Sequence, residues 1–222
     1  MEKLTSSVNP ETSPFLQKHS AAIRIWHWLT FLVVISLIVT VLMASTALDP
    51  RQNIPVVQNV LKDKGVVITS EQAWAVSHTY DDKMWDLHKL LGFALTFLFV
   101  SRIVIEMTES KEERLKSRFE KALHAHQKQE GDKKELMHYL IVKISYWIFY
   151  LLIFFMVTTG LLIAFGSDFG LSGPTRHSIK EIHGVFQYLI YAFVACHLVG
   201  VVLADIGKSN GIISGMINGG KK

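Results

Sequence analysis

Four stretches with almost no charge, each long enough to cross a lipid bilayer as a helix, govern what this chain can fold into. They lie at about 23–48, 85–107, 138–165 and 179–206. Roughly 20 consecutive apolar residues suffice to span a hydrocarbon core ~30 Å thick. The second stretch is broken only by Asp86, Lys89, Arg102 and Glu106, and the third carries Lys143 near its start. In lipid the backbone finds no water and must satisfy its own polar groups, so each run must be helical. The expected fold is all-α: an integral membrane four-helix bundle, one domain over residues 1–222, with connecting loops at 49–84 and 108–137.

Composition excludes the main rivals. Charged residues make up 19% of the 222 and hydrophobic ones 50%, whereas soluble domains carry about 25% charged residues. An ordinary soluble enzyme and a disordered chain are thereby ruled out. Cys196 is the only cysteine, which rules out a disulfide scaffold. There is no C-x-x-C-H for covalent haem attachment. The first run is too long for a signal-peptide core and no small-residue cleavage site follows it, so it is expected to stay in place.

Four crossings put both termini on one side, and the positive charges say which. Lys3, Lys18 and Arg24 precede the first span. Lys111, Arg114, Lys116, Arg118, Lys121, Lys128, Lys133 and Lys134 fill the middle loop, and Lys208, Lys221 and Lys222 follow the last span. The opposite loops hold Arg51, Lys62, Lys64, Lys83, Arg176 and Lys180. Positive residues favour the cytoplasmic side, so both termini and loop 108–137 are expected there and loop 49–84 outside. Charge signs alternate over 106–137, which is expected to extend the second and third helices, with a break near Gly131. The outer loop, with Pro50 and Pro55, is too polar to enter the bilayer and long enough to fold over the outer surface.

The chemistry lies with the histidines. Of ten, His27, His88, His183 and His197 fall in or at the edge of spans, where an ionisable group is costly and usually functional. One such histidine alone could be a helix-end residue or a partner to a neighbouring helix; four form a pattern. His183 and His197 share a helix face, 14 residues and so ~21 Å apart along the axis. His27 lies near the inner edge of its span and His88 near the outer edge of its own. By depth, His27 pairs with His197 and His88 with His183. Two histidines from facing helices at one depth can hold a haem iron from both sides, and bundle cores commonly house cofactors this way. Zinc wants three or four clustered ligands, and each level offers two. Bis-histidine ligation leaves iron no open position, which suits electron transfer.

Other residues have two readings each. Gly92 and Gly184 could leave room for a flat ring or serve helix packing. Arg102 could pair an inner haem propionate or reach for the cytoplasmic surface. Arg24 and Lys180, each three residues before a proposed ligand, could pair propionates or anchor the helix ends. Trp26, Trp28, Trp85 and Trp147 read as an aromatic belt, Cys196 as a small buried residue, and His19, His78, His124, His126 and His177 as solvated loop residues. His138, at the inner mouth of the third span, could touch a quinone or anchor a helix end.

The segments "RIWHW", "DLHKLLGF" and "EIHGVFQYLIYAFVACHLVG" together resemble the bacterial cytochrome b561 superfamily. Within it, "RIWHWLTFL" and the tail "DIGKSNGIISGMINGGKK" are most similar to the b-type cytochrome subunit of membrane-bound nickel–iron hydrogenases. The resemblance covers all four spans. The sequence departs from the pattern in its longer outer loop, in "TVLMAS" where a Thr-Gly pair is common, and at Tyr146, where many members carry histidine. The resemblance implies two haem b groups, one on His27 and His197 and the other on His88 and His183. It also implies an outer, periplasmic redox partner that contains iron–sulfur clusters, and a quinone at the membrane. The chain is thus expected to be the electron-transfer subunit of a quinone-linked oxidoreductase complex in the bacterial inner membrane, with no nucleic-acid partner. The alternatives are a stand-alone quinone-linked oxidoreductase and a haem-free anchor or transporter that uses the histidines as proton relays.

Overall fold

The computed structural model describes residues 20–109, 114–127, 133–206 and 212–219. The cationic N-terminal arm and tail, His19, the break at Gly131 and the side chains of His126 and His138 lie outside what is described. The chain is all-α. Seven helices are described: α1 (Ala21–Ser45), α2 (Pro50–Lys62), α3 (Ser70–Thr108), α4 (Leu115–Gln127), α5 (Lys133–Phe165), α6 (Gly173–Ile206) and α7 (Ile212–Asn218). No strand occurs among the described residues. The helices α1, α3 and α6, and α5 from Tyr139, are long and apolar enough to cross a membrane.

Residues 49–84 are helical over most of their length, and capping chemistry explains why. Asp49 accepts a hydrogen bond from the Arg51 N–H at 2.9 Å, with Pro50 in the first turn of α2, a favourable N-terminal arrangement. α2 stops at Gly65, whose φ is +78°, and the Val66 N–H bonds back to the Leu61 carbonyl at 2.9 Å. That closure requires the left-handed backbone that glycine adopts without strain. Thr69 and Gln72 then start α3 reciprocally: the Gln72 N–H donates to the Thr69 hydroxyl oxygen at 3.2 Å, and the Thr69 N–H to the Gln72 side-chain oxygen at 2.9 Å. α3 therefore begins well before the apolar run at 85–107. Its 39 residues measure about 58 Å, nearly twice the hydrocarbon thickness. Between 108 and 137 the described residues include a separate helix, α4, whose first N–H, on Leu115, is capped by Glu106 at 2.7 Å.

By packing, the chain forms two compact units, one of residues 1–27, 99–156 and 181–222, the other of 28–98 and 157–180. In the first, stacked pairs join α5 to α6: Phe149 on Phe193 at 5.0 Å and Phe155 on Phe186 at 4.8 Å between ring centres. Trp26 of α1 meets Tyr150 of α5 at 6.2 Å. In the second unit Phe93 of α3 packs on Phe165 of α5 at 5.7 Å. Many large apolar side chains are exposed, such as Phe97 at 72% and Leu203 at 66%. Lipid tails are as apolar as the side chains, so in a membrane this outward apolar surface costs nothing.

Candidate functional site

In the first unit the first turns of α1 bring His27 against His197 of α6, with ring centres 6.3 Å apart and planes inclined by 57°. Phe193, one turn before His197, lies nearly parallel to its ring at 7° and is itself stacked on Phe149. The His197 ring is therefore seated in the aromatic ladder that joins α5 and α6. An imidazole nitrogen binds a metal at about 2 Å and sits about 1 Å from its ring centre, so two rings sharing one ion stand roughly 6 Å apart. The observed separation is the one such sharing requires. Among the described residues no group of three or more His, Cys, Asp or Glu side chains converges on a point.

The same unit holds Arg102 of α3, 9% exposed. Its Nε donates to the Tyr150 hydroxyl at 2.9 Å and one Nη to Glu106 at 2.8 Å. The guanidinium lies over the rings of Trp26 and Tyr150, at 5.9 and 5.5 Å. Its other Nη is buried and has no hydrogen-bond partner among the described residues. Arg102 does not reach for the surface; it is held in place with one donor edge unspent. Trp26, read from sequence as part of an aromatic belt, is turned inward by this cation–π contact.

In the second unit His88 of α3 meets Thr40 of α1, its Nδ1 2.8 Å from the Thr40 hydroxyl oxygen. Trp85 stands edge-on to the His88 ring at 5.6 Å. His183 belongs to the first unit and is half-buried on α6.

The description prokaryotic cytochrome b561 fits residues 18–219. The chain belongs to this family. Nothing matches among curated proteins or solved structures. A prokaryotic cytochrome b561 is a membrane haem b electron carrier, so the chain is a multi-pass membrane protein whose cofactor is haem b.

The residues of this cytochrome b561 fit that group on three observations. The first is the His27–His197 spacing. The second is the unspent Arg102 Nη, suited to a carboxylate. The third concerns the glycines: a Cβ added at Gly92 or Gly184 would meet nothing within 4 Å. The same holds at Gly200 and Gly215, so these flanks are open without being singled out by it.

Other residues fall differently from expectation. Arg24 donates to the Ile217 carbonyl of α7 at 3.4 Å, and its Nε is buried without a described partner. Lys180 is exposed. Cys196 is exposed rather than buried; a thiol behaves as a small hydrophobe and suits a lipid-facing position. His78 is not a solvated loop residue but sits on α3, 4.4 Å from Trp74 between ring centres and 2.9 Å from Asp82. Sequence reasoning missed Tyr150 and Thr40 as partners. No local signal marks them, because each acts across 48 positions of sequence. Glu106 was detectable, since it lies one helical turn beyond Arg102.

Proposed function

We propose that this cytochrome b561 is the electron-transfer subunit of a quinone-linked oxidoreductase complex in the bacterial inner membrane. It would accept electrons from an outer, periplasmic redox subunit of hydrogenase or dehydrogenase type that contains iron–sulfur clusters, and deliver them to the quinone pool. The observation that carries this reading is the facing pair His27 and His197, set at the spacing for one shared iron. Bound haem b supplies reversible one-electron transfer. His27 and His197 would hold one such group at the inner level, and His88 and His183 a second at the outer level. Held by a histidine from each of two helices, such a group would have no open position for oxygen and would supply electron transfer rather than oxidation.

The remaining residues bind and orient. Arg102, anchored by Tyr150 and Glu106, offers its free Nη to a propionate of the inner group. Gly92 and Gly184 leave open flanks on α3 and α6. Arg24 and Lys180, three residues before His27 and His183, would meet propionates at their own levels. The positive-residue distribution puts both termini and loop 108–137 in the cytoplasm, which leaves α2 and the first turns of α3 on the side of the partner.

The test is purification in mild detergent from the native membrane. A b-type difference spectrum, reduction by quinol or by the co-purifying outer subunit, and two haems per chain are expected. A colourless protein, or a coloured one that neither co-purifies with a redox subunit nor exchanges electrons with quinone, overturns the proposal.

A further inference from the structure

Thr40 is a polar residue towards the C-terminal end of the apolar α1, and it is 3% exposed. Its hydroxyl oxygen lies 2.7 Å from the Leu37 carbonyl oxygen, three residues back on the same helix, and 2.8 Å from His88 Nδ1. A hydroxyl has a single proton. The carbonyl can only accept, so donation to Leu37 leaves the Thr40 oxygen as acceptor towards His88, the arrangement that satisfies both contacts and puts the ring's proton on Nδ1. The lone pair of the neutral ring is then on Nε2, facing away from α1. Trp85, edge-on to the ring, restricts its rotation.

We infer that Thr40 is the positioning residue for His88, fixing the ring so that Nε2 is the metal-binding nitrogen and strengthening that nitrogen as a donor. This rests on the reading of His88 as a haem ligand and extends it to a residue that touches neither iron nor porphyrin. An acceptor at the far nitrogen makes a ligating imidazole more basic. A more basic ligand stabilises ferric over ferrous iron and lowers the potential. Thr40 thereby sets the outer haem to a lower potential than His88 alone would give. The Leu37 carbonyl is part of the device, since it decides which way the hydroxyl points.

The test compares Thr40→Val, which keeps the shape and removes the acceptor, with Thr40→Ser, which keeps the acceptor. Both are studied in the full chain, by spectroelectrochemical titration and by electron paramagnetic resonance of the ferric haems. Thr40→Val is expected to retain both haems and to raise the midpoint of one of them. The expected size is a tenfold change in that haem's reduced-to-oxidised ratio, about 59 mV for one electron. One low-spin ferric signal should move with it, and Thr40→Ser should restore both readouts. If the valine variant does not accumulate, Thr40→Ala removes the same acceptor and is read identically. Unchanged midpoints and signals in Val or Ala, with one haem lost in His88→Ala, overturn the role of Thr40 and leave the ligand assignment standing. Two haems retained in His88→Ala overturn both.

Discussion

Arg102 Nε donates to the Tyr150 hydroxyl at 2.9 Å, across from α3 to α5, while the same guanidinium pairs with Glu106 on its own helix. The side chains are 10% and 29% exposed in this ion pair, so removing one partner leaves the other charge poorly solvated. Breaking a buried pair costs about 3–5 kcal/mol, whereas replacing both members by apolar residues is often nearly neutral. Arg102→Met and Glu106→Met are each expected to lower the thermal unfolding midpoint in detergent, and the double variant to unfold closer to wild type than either. Tyr150→Phe removes one hydrogen bond to a charged group and is expected to cost about 1.5–3 kcal/mol. Calorimetry or circular dichroism checks the ranking.

Three glycines give a contrast that separates packing from cofactor space. An added Cβ at Gly166 would lie 2.5 Å from the Leu162 carbonyl oxygen and 2.9 Å from the Arg176 side chain. At Gly92 and Gly184 it would meet nothing within 4 Å. Gly166→Ala is therefore expected to reduce the amount of folded protein in membranes. Gly92→Ala and Gly184→Ala should leave both protein level and haem content near wild type. Gly92→Leu should keep the protein level and lower the haem content, because a branched side chain would occupy the flank a macrocycle needs. Haem per polypeptide, from pyridine haemochrome and immunoblot, is the measurement.

The parts of this architecture written in local pattern could be read from sequence, and the parts made by long-range packing could not. Uninterrupted apolar length alone indicated four spanning helices. The helical spacing of His183 and His197 indicated a shared face, and His27 of α1 meets His197 with ring centres 6.3 Å apart. The prolines and polar residues of 49–84 suggest loop; Pro50 is in fact a first-turn residue, and Thr69 with Gln72 forms a cap whose spacing is visible in the sequence. Trp26 was misread because interfacial tryptophans are common, and only the arginine from another helix turns this one inward. Thr40 carries no local mark at all, since its meaning lies in a ring brought beside it from α3.

His27 and His197 are expected to act as a pair. Under the proposed ligation, changing either to alanine would remove one of the two residues that hold the haem at that level and should cost most of the bound haem there. His27→Ala, His197→Ala and the double variant should therefore show similar losses, each about half of the reduced-minus-oxidised α-band if each level holds one group. Additive losses, in which the double variant falls far below either single one, would mean that the two histidines serve separate sites. The measurement is the α-band amplitude per polypeptide, with the particle size compared with wild type by gel filtration.

The C-terminal helix is tied to the start of α1 through Arg24, and Gly219 is where that tie is most sensitive. Arg24 donates to the Ile217 carbonyl at 3.4 Å, satisfying one of the carbonyl groups that a helix end leaves without an internal partner. Gly219, just past α7, has φ +78°, and a Cβ there would lie 2.6 Å from an Arg24 Nη atom. Asp205 holds the other end of α7, accepting the Ile213 N–H at 3.2 Å. Gly219→Ala meets two penalties together: about 1–2 kcal/mol for a side chain in left-handed backbone, and displacement of the guanidinium from the carbonyl it caps. The displaced Arg24 sits one turn before His27, so the disturbance reaches the haem level. Gly219→Ala should therefore make the tail more susceptible to limited proteolysis and weaken haem retention at the His27–His197 level on heating. Arg24→Met, which frees the space while losing the bond, should loosen the tail by a similar amount, and adding Gly219→Ala to it should cost only the backbone term. A fully additive double variant would show that the steric contact between the two residues does not operate.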